Sequence, residues 1–375
     1  MPSTKKSIAI APWTDDTEIV SITLTLKAIG DIELSANYTT ALHAWFLHQV
    51  RDSNPQLSAY LHDGQSEKAF SLSPLNGNLE PSANQLIAKA DSTYTWTISA
   101  LNQSLCQWLK TWYKLPPLTI DLYNGNFAIN EIAILQSATT YNNLWANSSY
   151  PQSKFTLAFL TPTCFRSKQH HLPLPIPSNI FHSYLRRWND FAPEAFPQEE
   201  FLAWIEQVIY ITNYNIICTN VAVAKQGYAI GFTGTVEFAV DLKVSKNSDF
   251  EKLLFALIEL APYCGTGYKT TFGLGQTKLI NTSEAEKPIE KAITSTPLQE
   301  HLTQRITELS AFFLQTKKRQ GGDRAQNTAT IWATILARYE LGEKLTEIAI
   351  DLDIPYETVK GYIKRARKAL SESTN

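Results

Sequence analysis

The chain has 375 residues, 44% of them hydrophobic and 18% charged, with a formal net charge of -2. That is ordinary globular composition, long enough for two or three domains, and it excludes polyanion binding through bulk positive charge. The four cysteines, Cys106, Cys164, Cys218 and Cys264, are far apart with no CxxC pair, which fits neither a zinc finger nor a disulfide framework.

In chain order, "EIVSITLTLKAIG" (18–30) alternates and is rich in β-branched residues, predicting a strand. Leu42, Trp45, Phe46 and Val50 then recur near helical spacing, with Asn54-Pro55 as the stop. "AFSLSPLNGN" and "STYTWTISAL" read as strands, and "NQSLCQWLKTWYK" as a helix ended by Pro116-Pro117. "LTIDLYNGNFAINEIAIL" closes this half with extended structure. The order is βαββαβ, that of a ferredoxin-like domain, assigned to residues 1–145.

The pattern repeats over residues 146–282. "KFTLAFLTPTCF" is a strand, and a Pro-rich loop holding His170 and His171 leads to the helices "IFHSYLRRWNDF" and "EEFLAWIEQVIYI". "VAVAKQGYAIGFTGTVEFAV" reads as a hairpin around Gly227 or Gly231, and "DFEKLLFALIELAPYC" as a helix capped by Asp249. "GTGYKTTFGLG" runs into the strand "GQTKLI". Residues 283–299 are small and polar, a linker. Residues 300–375 are expected to be all-helical, so the fold class is α+β with two tandem ferredoxin-like domains and a helical addition. From His301 onward there are 12 Lys and Arg against 9 Asp and Glu, leaving 21 against 26 before it. Any polyanion site in the larger part is therefore a local patch. The apolar run near the N-terminus is too short for a signal peptide, and no run reaches the ~18 apolar residues of a membrane helix. A cytoplasmic protein with no membrane partner is expected.

The glycines of "PYCGTGYKTTFGLGQTKLI" follow a helix and precede a strand. That order is the reverse of a dinucleotide fingerprint, and GxxxxGK[ST] is absent. On spacing alone the segment is a connector with glycines at positive φ, although glycines also let backbone N–H groups approach a phosphate, with Lys269 adding charge. "GTGYKTTFGLGQTKL" closely resembles the C-terminal glycine-rich loop of the CRISPR repeat-RNA processing endoribonucleases, members of the RAMP superfamily. "LAFLTPTCFRS" with "LPLPIPSNIFHSYLRRWNDF" resembles the family's middle region, "GFTGTVEF" its glycine-containing hairpin, and "SNPQLSAYLHDGQSEKAFSLSPL" its catalytic region. Together these cover roughly residues 18–280.

The resemblance implies two tandem ferredoxin-like domains and metal-independent cleavage of CRISPR precursor RNA, with no cofactor. A ribose 2′-OH attacks the adjacent phosphate, leaving 2′,3′-cyclic phosphate and 5′-OH ends. Such chemistry needs a base, an acid and positive charge at the phosphorane, for which histidine and lysine are suited. It places the catalytic histidine on His62 and the catalytic lysine on Lys68. Some relatives carry a tyrosine where Leu47 stands, and His48, His43 and Tyr60 are the candidates for that role. Gly265, Gly267, Lys269, Gly273, Gly275 and Gln276 are expected to bind RNA, with Arg186 and Arg187 as further candidates. A repeat-RNA binder that no longer cuts is the alternative that Leu47 raises.

"LTEIAIDLDIPYETVKGYIKRARKAL" resembles the helix-turn-helix of sigma-factor region four. Ile348, Ala349, Leu352, Val359 and Ile363 would form its core. Thr358, Lys360, Lys364, Arg365, Arg367 and Lys368 would reach DNA or RNA. A lone module of this kind binds weakly unless dimerised or assisted by another domain. Beside repeat RNA, a homodimer and other CRISPR effector proteins are further expected partners. A transcription regulator with an RNA-sensing domain is the reading this segment adds.

Overall fold

The computed structural model describes residues 13–35, 38–63, 67–82, 85–90, 92–122, 125–148, 153–167, 170–223, 227–243, 247–280, 297–315, 323–340, 345–352 and 354–371. The N-terminal unit runs β1 (Ile19–Ala28), β2 (Ile32–Ser35), α1 (Tyr38–Ser53), α2 (Pro55–Asp63), β3 (Phe70–Leu72), β4 (Leu79–Ser82), β5 (Gln85–Ala88), β6 (Thr93–Ala100), α3 (Gln103–Lys114), β7 (Thr119–Leu122) and β8 (Gly125–Thr139). Its main sheet has the order β3-β6-β1-β8-β7, and β2-β5-β4 form a small second sheet. Without the edge strand β7, the main sheet has the antiparallel order of a ferredoxin-like βαββαβ unit. On β1, Val20, Ile22, Leu24 and Leu26 are buried, while Thr23, Thr25 and Lys27 between them are half-exposed. That period of two places one face of the sheet against the helices.

After α4 (Tyr141–Ala146), the second unit runs β9 (Lys154–Thr163), β10 (Phe165–Ser167), β11 (His170–Leu172), α5 (Pro177–Phe191), α6 (Gln198–Val208), β12 (Ile209–Val223), β13 (Gly227–Val240), α7 (Ser248–Cys264) and β14 (Thr277–Ile280). Its sheet order, β12-β13-β9-β14, repeats the topology of the first. Each unit has its own apolar core, and Ile19, Leu101 and Tyr141 join the second core from the N-terminal side. Polar ties cross between the units. The Ser71 hydroxyl donates to the Tyr263 carbonyl (2.7 Å), and the Tyr263 hydroxyl donates to the Ser137 carbonyl (2.8 Å).

The C-terminal helices are α8 (Pro297–Gln315), α9 (Asp323–Glu340), α10 (Leu345–Asp351) and α11 (Tyr356–Ser371). Ile348, Ala349, Val359 and Ile363 are buried as expected, with Leu352 packed at the edge of the same core. Among the described residues no helix is long and apolar enough to cross a membrane. Residues 283–296 of the expected linker lie outside the described residues, and Pro297 already belongs to α8. Of the two glycines considered for the β12–β13 turn, Gly227 opens β13 and Gly231 lies within it, opposite Thr219.

Four local expectations need correction. Asn54-Pro55 ends α1, but it also starts α2: the Asn54 side chain accepts from the Leu57 N–H (3.0 Å), and proline suits a first helical turn. The helix expected to run through Ile211 stops at Val208, where the β-branched run enters the long strand β12. The stretch around His170 and His171 is not a plain loop, because β10 and β11 pair there as a short hairpin. Finally, α7 is capped by Asn247 rather than Asp249. The Asn247 side chain accepts from the N–H groups of Asp249 and Phe250 (3.2 and 3.1 Å), which places Asp249 inside the first turn. Removing the cap should cost about 1 kcal/mol. Asn247→Ala should therefore lower the urea midpoint clearly, and Asp249→Ala only by the few tenths of a kcal/mol typical of a carboxylate in a first turn. Equal losses would reject this assignment.

Candidate active site

The glycine-rich segment is a closed loop. Gly265 ends α7 at φ 67, and its N–H donates to the Ala261 carbonyl (2.9 Å). The Thr266 N–H donates to the Gly275 carbonyl (2.7 Å), the Gly267 N–H to the Ser183 hydroxyl (2.8 Å), and the Gly275 N–H to the Pro162 carbonyl (3.1 Å). Gln276 donates from its backbone to the Thr161 hydroxyl (2.9 Å) and from its side chain to the Leu72 carbonyl (3.1 Å). A Cβ on Gly267 or Gly275 would run into the carbonyls of Cys164 and Thr266. The amides of Gly265, Gly267, Gly275 and Gln276 are thus used inside the protein, so these residues build the loop and do not offer their N–H groups outward. Gly273 packs where a Cβ would meet Pro74 and Thr39 of the N-terminal unit.

The loop's outward group is Lys269. It is the sole non-glycine residue at positive φ among the described residues (φ 56), a conformation that costs roughly 1 kcal/mol. Its ammonium lies 5.4 Å from the Tyr268 ring centre and 5.5 Å from that of Phe272. Partial burial holds it below the usual lysine range.

Arg187 fastens this loop to α5. Its side chain is only 5% exposed. Nη1 donates to the Ser183 carbonyl and hydroxyl (2.7 and 2.8 Å), and Nη2 to the Thr270 hydroxyl (3.1 Å) and the Gly267 carbonyl (3.4 Å). Nε lies 3.8 Å from the Glu67 carboxylate, which also pairs with Arg186 at 3.1 Å. The Glu67 N–H donates to Asp190 (2.5 Å), one turn beyond Arg186 on the same helix. The RR pair therefore splits: Arg187 is internal scaffolding, and Arg186 is a half-exposed partner of Glu67. Sequence reasoning passed over Glu67 and Asp190, whose roles exist only once α5 lies beside the segment leading into β3.

That segment carries the candidate catalytic groups. His62 sits exposed in the last turn of α2, and the Lys68 ammonium donates to the His62 carbonyl (2.8 Å), closing the chain between them. His43, on α1, stacks on Phe272 with ring centres 4.2 Å apart and 16° between planes, and it also lies against Phe70. Its pKa is pushed down to about 4, first by burial and then by the nearby His62 and Lys68. His43, His62, Lys68 and Phe272 of the loop thus converge. His48 does not join them. Five residues beyond His43 it points about 140° around α1, into solvent, where it pairs with Asp52 (3.0 Å). Tyr60 is 45% exposed and, two residues before His62, points about 160° away from it around α2. Leu47 lies one turn after His43, and its side chain is buried in the N-terminal core.

On α11, Lys364, Arg365 and Lys368 are exposed and Thr358 is half-buried. Arg367 stacks its guanidinium over Tyr339 of α9 (4.6 Å), and Lys360 lies over Tyr356 and 3.8 Å from Glu357. Arg367 and Lys360 are themselves exposed, so all five basic residues of the expected set lie on the surface of α11.

Comparison with known proteins places residues 20–277 in a family. The CRISPR Cas6 N-terminal domain matches residues 20–155, and the CRISPR-associated endoribonuclease Cas6 family matches residues 157–277. A Mycobacterium tuberculosis CRISPR-associated endoribonuclease Cas6 is 22% identical over 223 residues, covering 57% of this chain and 67% of the relative. A Streptococcus thermophilus protein of the same description is 29% identical over 136 residues, covering 36% of this chain and 53% of the relative. Among solved structures, Thermus thermophilus Cas6 superposes with a TM-score of 0.52 at 24% identity, covering 70% of this chain and 99% of that one. A Cas6 product complex superposes with a TM-score of 0.58 at 22% identity, covering 70% and 100%. Two adjacent family matches spanning residues 20–277, on two tandem ferredoxin-like units, make this chain a member of the CRISPR-associated endoribonuclease Cas6 family.

Proposed function

We propose that the chain cuts CRISPR precursor RNA within its repeats without a metal, with His62 and Lys68 at the reacting phosphate and Lys269 holding the RNA backbone. The observation that carries this reading is a convergence: the His62–Lys68 segment and the glycine-rich loop, about 200 residues apart in sequence, meet through the His43–Phe272 stack and the Glu67–Arg187 pair. Related Cas6 proteins have been solved in product and substrate-mimic complexes.

In the proposed step the 2′-oxygen attacks phosphorus as its proton leaves, and the bond to the 5′-oxygen breaks as that oxygen gains a proton. The products are a 2′,3′-cyclic phosphate and a 5′-hydroxyl. His62, exposed at a helix end, is the proton-transfer group. The Lys68 ammonium is held at the His62 carbonyl, which keeps a positive charge beside the histidine, where negative charge builds on the phosphorane. A base with a pKa near 4 takes up a proton poorly at neutral pH. We therefore assign His43 to fixing α1 against the loop, and not to proton transfer. The buried Leu47, where some relatives have tyrosine, is what favours the second reading, a repeat-RNA binder that does not cut. Lys360, Lys364, Arg365, Arg367 and Lys368, all exposed, with the half-buried Thr358, are the proposed nucleic-acid contacts of α11.

Repeat RNA incubated in EDTA should be cut by the wild type, and His62→Ala should slow single-turnover cutting by about 10²–10⁴-fold. A 2′-deoxy nucleotide at the cut site should block it. A wild type that does not cut sinks the enzyme reading, and cutting that survives His62→Ala rejects that residue.

His43 makes a separate, pH-dependent prediction. Its native pKa is depressed, so the unfolded chain takes up the proton first as pH falls below about 6.5. Stability should therefore drop from pH 6.5 towards 4, by an amount on the order of 3 kcal/mol for this group. Urea unfolding should show a shallower pH slope for His43→Phe than for the wild type. Parallel slopes would contradict the burial assigned to this ring.

For α11, duplex DNA binding by the full chain should weaken in a Lys364→Ala, Arg365→Ala, Lys368→Ala variant. The slope of log affinity against log salt should shrink by about 0.9 for each phosphate that the variant no longer neutralises. An unchanged slope would remove the helix from the proposal.

A further inference from the structure

The β10–β11 hairpin holds a cluster that the proposed cutting site does not use. Arg166 and His171 are directly opposed cross-strand partners, so their side chains leave the same face of the hairpin. The hairpin is fixed to the glycine-rich loop, because the Tyr268 N–H donates to the Cys164 carbonyl (2.9 Å) and the Tyr268 ring packs on Cys164. The His171 ring lies 5.6 Å from the Tyr268 ring, and the Lys269 ammonium lies 5.4 Å from it. His171 and Lys269 therefore flank one tyrosine, and Arg166 stands beside His171.

Two of these groups are cations, and the third is an imidazole. Burial, Arg166 and Lys269 all hold His171 below the usual histidine range. Among the described residues no carboxylate pairs with any of the three. The acids on the loop's inner side, Glu67 and Asp190, are engaged by Arg186, Arg187 and the Glu67 N–H. Cations held together without an acid repel one another, and an anion seated among them reverses that cost. The chain before His301 carries more acidic than basic residues, so this cluster is a local feature and not the edge of a basic surface.

We propose that Arg166, His171 and Lys269 form a second phosphate subsite, which holds a phosphodiester of the bound RNA strand on the far side of Lys269 from His62. The proposal rests on the RNA reading above. Continuity favours an RNA backbone over an acidic peptide. Phe272 connects the two places, with the Lys269 ammonium 5.5 Å from its ring and His43 stacked on that ring at 4.2 Å. A strand crossing from His62 towards Lys269 reaches the hairpin next. A phosphate contact positions the strand and carries no sequence information of its own.

The test uses the full chain and repeat RNA with a 2′-deoxy nucleotide at the cut site, in EDTA, titrated at several salt concentrations. Arg166→Ala should weaken binding about tenfold at low salt, and its slope of log affinity against log salt should shrink by about 0.7, the value for one single-strand phosphate. His171→Gln should weaken binding less, and Arg166→Lys should restore most of the affinity, because a phosphate accepts either cation. An unrelated single-stranded RNA of equal length should show the same weakening. Affinities within about twofold of wild type with an unchanged slope overturn the subsite while leaving the cutting proposal in place. A weakening confined to the repeat sequence overturns the phosphate assignment. A wild type that binds no repeat RNA overturns both.

Discussion

The buried guanidinium of Arg187 is the constraint on which the site's geometry depends. A charge at 5% exposure is costly to bury unless its donors are matched. Here the donors meet the Ser183 carbonyl and hydroxyl, the Thr270 hydroxyl and the Gly267 carbonyl, with the Glu67 carboxylate nearby. These partners come from three separate parts of the chain: α5, the glycine-rich loop, and the segment entering β3. Shortening the side chain would leave several of them without a donor, and replacing Glu67 would leave the charge less well balanced. The three segments are thus set in one register by a single side chain. Asp190 and Arg186, on the same helix, hold the Glu67 end of that connection.

The loop shows how a sequence pattern can serve a physical role other than the one its spacing suggests. Four glycines with Lys269 between them suggest a backbone cradle for a phosphate. Instead their positive φ values and the absence of side chains let the chain fold tightly on itself against Cys164, Thr266 and Pro162. What they achieve is presentation. Lys269 is held in a left-handed conformation between Tyr268 and Phe272, where its ammonium is partly shielded by the two rings. The amides of Gly265, Gly267 and Gly275 bond inside the protein, so the glycines shape the loop around Lys269.

Both βαββαβ units were legible because β-branched alternation and helical periodicity are strong in β1, β6, α1 and α7, and those elements set the sheet orders. Legibility failed where one residue serves two neighbours. Asn54 and Pro55 stop one helix and start another, so α2 and the placement of His62 at its end were missed as an element. In "WIEQVIYI" helical and strand periods overlap, and pairing with β13 decided for the strand. At the candidate site, motif resemblance is what singles out His62, Lys68 and Lys269 for the proposal, but no local pattern separates His43 from His48. The distinction comes from Phe272, which lies more than 200 residues away and covers only one of them. Arg186 and Arg187 are likewise adjacent in sequence and opposite in burial, a difference set by which way α5 faces.

The division of the site between the two units has a consequence for synthesis. His62 and Lys68 lie in the first fifth of the chain, whereas Lys269, Phe272 and the helix bearing Arg187 come well past its midpoint for the loop and close to it for the helix. A chain partway through translation has the histidine and lysine but no loop beside them. His43 then has no Phe272 to stack on, and Glu67 has no arginine to pair with. The complete arrangement exists only after the second sheet has closed with β14, its last strand. The order of the sequence thus delays assembly of the arrangement until nearly 280 residues have been made, and a fragment that ends before the glycine-rich loop lacks it.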